Sequence, residues 1–247
     1  MGQHAKHGQL VKTAKLTAAA FAILAWAAPA YACRLALVLA IDVSSSVDAR
    51  EDQLQRAGLA SALLDPDVQA AFFISPSPVA LHVFEWSGRY KQETLVDWTP
   101  IRSPEDLLTV ATAVARSLRS QTEFPTAMGS ALGHAAIQLL EAPRCAAQTI
   151  DIAGDGLNNE GFGPREAYAA FPFSGVVVNG LVVASPGVAD PLDVIEFYQS
   201  EVIRGPNAFV EIAQGFEDYA AAMRRKLIRE LSHQMIGVGI LQRDAAG

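Results

Sequence analysis

Cysteine is scarce in this 247-residue chain, with Cys33 and Cys145 the only two. There is no Cys-x-x-Cys and no His-x-x-x-His, and His82, His134 and His233 are dispersed, which argues against a zinc site of thiolates and imidazoles. Basic residues are outnumbered, 19 Lys and Arg against 26 Asp and Glu, for a net charge of −7. Such a balance is a poor match to nucleic acid, whose affinity for proteins rests on Lys and Arg at phosphates. After residue 32 no stretch reaches the ~20 apolar residues that span a bilayer. Also missing are a Gly-x-Ser-x-Gly nucleophile elbow and a Gly-Lys-Ser/Thr phosphate loop. Gly161-x-Gly163 lacks the third glycine of a dinucleotide fingerprint and follows no strand directly. Asp42-Val43-Ser44-Ser45 lacks the second aspartate of an aspartyl-phosphate phosphatase. Neither an internal repeat nor a low-complexity linker interrupts the chain.

What is present begins with a leader. Lys6, Lys12 and Lys15 precede the apolar segment 16–28, and Ala30-Tyr31-Ala32 has the small-x-small form of a cleavage site. Residues 1–32 are therefore expected to be a signal peptide and 33–247 one exported domain, periplasmic or secreted, with no stable membrane insertion after cleavage. Without the leader the chain has 16 basic and 26 acidic residues, close to −10. Cys33 stands nine residues before Asp42 and Cys145 ten before Asp155, each just ahead of an apolar run. If those runs are neighbouring parallel strands, the thiols share one end of the sheet, and an oxidising compartment allows a Cys33–Cys145 disulfide. The competing reading is a lipid on Cys33, weakened because Ala30-Tyr31-Ala32 is a poor lipoprotein box.

The run Leu35 to Ile41 is apolar without alternation, as in a strand covered on both faces. Further strands are expected at Val79 to Trp86, Glu93 to Trp98, Gln148 to Ala153, Val176 to Val183 and Ala208 to Ile212. Helices are expected over Asp48 to Leu64, from Ser103-Pro104-Glu105-Asp106 with an apolar stripe Leu107, Val110, Ala111, Val114 and Leu118, over Thr126 to Leu140, over Pro164 to Ala170, from Asp190-Pro191, and over Phe216 to Leu231. A short apolar segment, Val68 to Ile74, adds a further turn. In the last helix Phe216, Tyr219, Ala220, Met223 and Leu227 are assigned to the core, and Arg224, Arg225, Lys226 and Arg229 to a solvated face. The short turn Ser87-Gly88-Arg89 predicts an antiparallel hairpin at one edge. Alternating strands and helices give an α/β fold, a doubly wound, mostly parallel sheet with helices on both faces and one antiparallel edge strand.

Each expected strand end at Asp42 and Asp155 breaks into polar oxygen. Asp42, Ser44 and Ser46 alternate at the carboxyl end of the first strand, where open α/β sheets keep their sites. Taken singly the pieces have bland readings: Ser46 and Thr126 as helix caps, the Gly154-Asp155-Gly156 turn as a need for positive φ, Asn158 and Asn159 as turn formers. Glu85, Trp86 and Glu123 are further candidates for the rim. Asp42-x-Ser44-x-Ser46, Thr126 ahead of Gly129, and Gly154-Asp155-Gly156 in that order resemble the metal-ion-dependent adhesion site of von Willebrand factor A domains. The segments 83–88, 151–159 and 203–210 are similar to an uncharacterised exported proteobacterial branch of that superfamily. One departure is Phe124-Pro125, where relatives place small glycines before the threonine.

The resemblance implies that Ser44, Ser46 and Thr126 give hydroxyls to a divalent cation, Mg²⁺ or Mn²⁺, with Asp42 and Asp155 acting mainly through water. It also implies a binding module, not an enzyme, whose metal takes an acidic side chain of a protein partner. The residues favour a cation independently, since two carboxylates on adjacent strand ends repel one another without one. The other readings are a metal-assisted hydrolase using Ser44 or Ser46, a nucleotide-binding sheet, and a scaffold with an inactive site.

Overall fold

The computed structural model describes residues 1–2, 31–185 and 189–244, with side chains through residue 232. The expected signal peptide lies almost wholly outside the described residues. From Tyr31 onward the chain forms one unit. Its elements run β1 (Cys33–Asp42), α1 (Ala49–Leu64), α2 (Pro66–Phe72), β2 (Val79–Trp86), β3 (Gln92–Ile101), α3 (Pro104–Arg116), α4 (Met128–Glu141), β4 (Cys145–Gly154), α5 (Pro164–Ala170), β5 (Val176–Val183), α6 (Pro191–Phe197), β6 (Val210–Ala213) and α7 (Tyr219–Asp244). A π-helical turn, Tyr198–Val202, continues α6, and a 3₁₀ turn, Phe216–Asp218, leads into α7.

The six strands lie in the order β3-β2-β1-β4-β5-β6. All neighbours are parallel except β2 and β3, the edge hairpin. β1 is buried along its whole length, as its unbroken apolar run requires. The chain winds outward from β1 through β2 on one side and through β4 on the other. The crevice at the carboxyl ends of β1 and β4 is therefore the topological switch point, where such sheets hold ligands.

Alternation along the strands separates two cores. Leu35, Leu37, Leu39 and Ile41 face α1, α3 and α7, whereas Ala36, Val38 and Ala40 face α4 and the segment around Tyr198. Cys33 and Cys145 sit opposite one another in the β1–β4 register and form a disulfide, with 4.5 Å between their Cα atoms. The sulfur that a lipid would need is thus engaged. Local chemistry explains the helix starts: Asp48 caps α1 in a capping box with Glu51, Ser103 does the same for α3 with Asp106, and Asp65 caps α2.

Besides β3 and α7, which run further than expected, to Ile101 and Asp244, three details differ from the sequence reading. The helix α3 ends at Arg116, because Ser117 turns its hydroxyl back to the Val114 carbonyl (2.7 Å), so Leu118 leaves the stripe and is 87 % exposed. Strand β6 begins two residues later than expected. The third concerns Lys226, which is 0 % exposed and not part of a solvated face. Its ammonium is in ion-pair contact with Asp151 of β4 and lies 3.8 Å from Glu230. Asn179 of β5 donates to Glu230 (2.7 Å) and closes this buried network.

Candidate metal centre

Three loops meet at the carboxyl edge between β1 and β4, and their polar groups bond to each other. The first loop leaves β1 at Asp42, whose Oδ1 accepts from the Ser44 amide at 2.7 Å. Ser44 and Ser46 bring their hydroxyls to 3.0 Å of each other. The third loop supplies Asp155, whose Oδ1 accepts from the Ser46 hydroxyl at 2.7 Å. The second supplies Thr126, whose hydroxyl donates to Ser44 Oγ at 3.2 Å. All five residues singled out in the sequence therefore converge.

The bland readings of two of them do not hold. The cap of α1 is Asp48, not Ser46, and α4 has Ala127 at its N-cap with no side-chain cap bond, so neither hydroxyl serves a helix end. The turn carrying Asp155 contains no positive φ at Gly154 or Gly156; among the described residues the positive-φ glycines are Gly161, Gly175, Gly205 and Gly215. Glycine at position 154 is needed for space, because a Cβ there would meet Asp42 Oδ2 at 2.9 Å and Tyr198 Oη at 2.8 Å.

Backbone bonds lock the loops to one another. The Ser45 amide donates to the Phe124 carbonyl (2.8 Å), so Phe124, part of the departure from the usual small glycines, ties the threonine loop to the serine loop. Asn159 clamps Thr126 from both sides: its Oδ1 accepts from the Thr126 amide (2.8 Å), and its own amide donates to the Thr126 carbonyl (3.0 Å). Asn158 Oδ1 receives the Gly129 amide at 3.4 Å. The asparagines thus hold the threonine loop in place. Glu85 does not rim the site; it pairs with buried Arg56 and accepts from the Ser120 amide (2.7 Å).

Arg119 went unrecognised in the sequence. It follows α3 and donates to the carbonyls of Val47 (2.6 Å), Val43 (2.8 Å) and Ser44 (2.7 Å), bracing the loop that carries the serines. Gln55 of α1 adds a bond to the Asp42 carbonyl (2.7 Å). No local pattern marks an arginine for this duty. The only signal is a lone cation in a loop bound for the same sheet edge.

The electrostatics are unbalanced. Asp42 is pushed up to about 8, by burial first and by Asp155 second, against the Ser44 bonds and Arg119, which pull it down. Burial also raises Asp155, opposed by its bond from Ser46. Asp42 Oδ2 is buried with no hydrogen-bond partner. Among the described residues no group of three or more His, Cys, Asp or Glu side chains gathers, so a cation here would depend on the hydroxyls as well as the two carboxylates. Two carboxylates, three hydroxyls and one unpartnered buried carboxylate oxygen suit a hard divalent cation that keeps some of its water.

The sheet order and the position of the site define the fold as that of von Willebrand factor A domains. Solved structures agree. A von Willebrand factor type A protein from Catenulispora acidiphila is 15% identical with a TM-score of 0.57, over 81% of this chain and 43% of that one. The mussel byssus proximal thread matrix protein 1, described with a zinc-occupied MIDAS motif, gives 16% and 0.59 over 82% and 48%. The pilus adhesin SpaC of Lactobacillus rhamnosus GG, in its open conformation, gives 12% and 0.55 over 81% and 30%. At these identities the likeness is one of fold, and the chain spans about half the length of the mussel protein. A family model described as "Protein of unknown function (DUF1194)" matches residues 32–235, and the chain belongs to that family. No curated protein matches it.

Proposed function

We propose that this chain is an exported binding module which holds Mg²⁺ or Mn²⁺ at Asp42, Ser44, Ser46, Thr126 and Asp155 and uses it to grip an acidic side chain of a protein partner. The observation that carries the reading is the meeting of these five side chains at the sheet's switch point, with both carboxylates raised by burial. Bound there, a divalent cation would balance the two carboxylates and, with neutral hydroxyls as its direct protein ligands, keep charge for an incoming carboxylate. The zinc-occupied motif in the mussel protein supports a divalent ion on this fold. Export agrees with the leader-like residues 1–32, the disulfide, and the lack, among the described residues, of any helix long and apolar enough to cross a membrane.

The test is thermal unfolding with Mg²⁺ or Mn²⁺ against EDTA. Wild type gains stability with metal, and Asp42→Ala and Asp155→Ala do not; equal gains in all three would defeat the reading. Capture of envelope proteins with and without EDTA then isolates the partner as the species lost on chelation. Turnover of an ester or phosphate by wild type, abolished in Ser44→Ala, would replace the binding module with a hydrolase.

A further inference from the structure

Two buried polar atoms without partners face the same small space behind the metal centre. One is Asp42 Oδ2, and the other is the hydroxyl of Tyr198, a residue 0 % exposed. Both lie within 3 Å of the point where a Cβ on Gly154 would sit, Tyr198 Oη at 2.8 Å and Asp42 Oδ2 at 2.9 Å.

The sheet builds this arrangement. Gly154 ends β4 beside Asp42, and Gly180 lies across from Ile152 on β5. Side chains at these two glycines would project to the face on which Ala40 and Val182 pack, the face that also holds Tyr198. A Cβ on Gly180 would meet the Tyr198 ring at 2.5 Å. Two glycines on adjacent strands thus leave a trough for the ring, which runs along it toward Asp42. Glycine inside a strand is commonly the mark of such a close approach. The ring is fixed from the other side by the π-helical turn that begins at Tyr198, a form of helix found often at functional sites.

We propose that Tyr198 is a positioning residue of the metal centre: its hydroxyl donates to Asp42 Oδ2, directly or through one buried water, and fixes the carboxylate in the orientation that serves the cation. This rests on the metal reading above. Asp42 Oδ1 is already held by the Ser44 amide, so a donor at Oδ2 removes the last freedom of the carboxylate. A phenol hydroxyl carries its proton at neutral pH and so can donate. Partners of this kind, acting through a ligand, typically change metal affinity about 10–100-fold when removed.

A second tyrosine supplies the control. Tyr219 is also 0 % exposed with an unpartnered hydroxyl, but it packs in the other core, on the α1 and α7 face. Mg²⁺ binding is measured by calorimetry on wild type, Tyr198→Phe and Tyr219→Phe, with thermal unfolding in EDTA to confirm that each is folded. Phenylalanine keeps the ring in its trough and removes only the oxygen. The expected result is at least a tenfold weaker Kd in Tyr198→Phe, with Tyr219→Phe equal to wild type and all three folded in EDTA. Equal affinity in wild type and Tyr198→Phe would overturn the inference and leave the metal reading standing. Equal losses in both variants would also overturn it, as a general packing effect. Absence of Mg²⁺ and Mn²⁺ binding in wild type would remove the metal reading and this role with it.

Discussion

Replacing Asp42 by asparagine should strengthen the protein in EDTA and weaken it in Mg²⁺. The asparagine side chain would keep an oxygen for the Ser44 amide and put an amide NH₂ where the unpartnered Oδ2 now lies, beside Tyr198. It would also end the repulsion with Asp155. Burial and Asp155 disfavour the ionised Asp42 side chain in the folded protein, so a gain of ~2 kcal/mol from its neutral isostere is expected. In a domain of this size that gain raises Tm by roughly 4–8 °C. Magnesium at a hundred times Kd adds ~2.7 kcal/mol to wild type and little to the variant. Calorimetric scans at neutral pH in the two conditions should therefore cross: variant above wild type in EDTA, wild type level or above in Mg²⁺. A variant less stable than wild type in EDTA would mean that burial and Asp155 do not destabilise the Asp42 carboxylate in the folded chain. An undiminished Mg²⁺ shift in the variant would mean that the ion is held elsewhere.

Three other perturbations test the surrounding structure. Reducing the Cys33–Cys145 bridge, or replacing both cysteines by serine, reopens a loop of 112 residues, and by the chain-entropy account lowers stability by ~5 kcal/mol in urea unfolding; a loss below ~1 kcal/mol would show that the reduced chain is already constrained there. Lys226→Met leaves Asp151 and Glu230 facing one another without their cation, and a loss of ~3–5 kcal/mol is expected, whereas a neutral result would mean that one of the two acids is protonated. His82 is buried with both ring nitrogens unpartnered, against Trp98 at 5.2 Å, and burial first of all lowers it to about 4 from 6.5. A depressed histidine pKa leaves stability intact above pH ~6.5 and erodes it as pH falls toward 4, by up to ~3 kcal/mol, so urea unfolding of His82→Leu should show a flatter pH dependence than wild type over that window.

The sheet was legible because its signals are local, and the five-residue constellation through the resemblance to von Willebrand factor A domains, each piece alone having a bland reading. An unbroken apolar run ending in Asp42 announces a buried strand and its end, and the spacing of each cysteine from its strand end was enough to pair Cys33 with Cys145. Arg119, Tyr198 and Lys226 were not legible, because each acts through a partner distant in sequence. Lys226 was assigned to water from its neighbours on the helix; its partner is Asp151, a charge inside an otherwise apolar strand. That misplaced aspartate was the readable sign that a cation must arrive from elsewhere. Gly180, a glycine in the middle of the run Val176 to Val183, was the corresponding sign for the Tyr198 ring.

Where the protein balances its buried charges, and where it does not, points to the same edge. Arg56 meets Asp52 and Glu85, and Lys226 meets Asp151 and Glu230. Leaving a buried ion without its partner costs ~3–5 kcal/mol, and each of these four buried acids touches a cation. Asp42 and Asp155 do not. Arg119 lowers both carboxylates through space but gives its hydrogen bonds to three carbonyls, and the described residues put no ammonium or guanidinium in ion-pair contact with either acid. A chain that sets a cation against its other buried acids and leaves two carboxylates without one at the switch point of its sheet is built to receive the missing positive charge from outside.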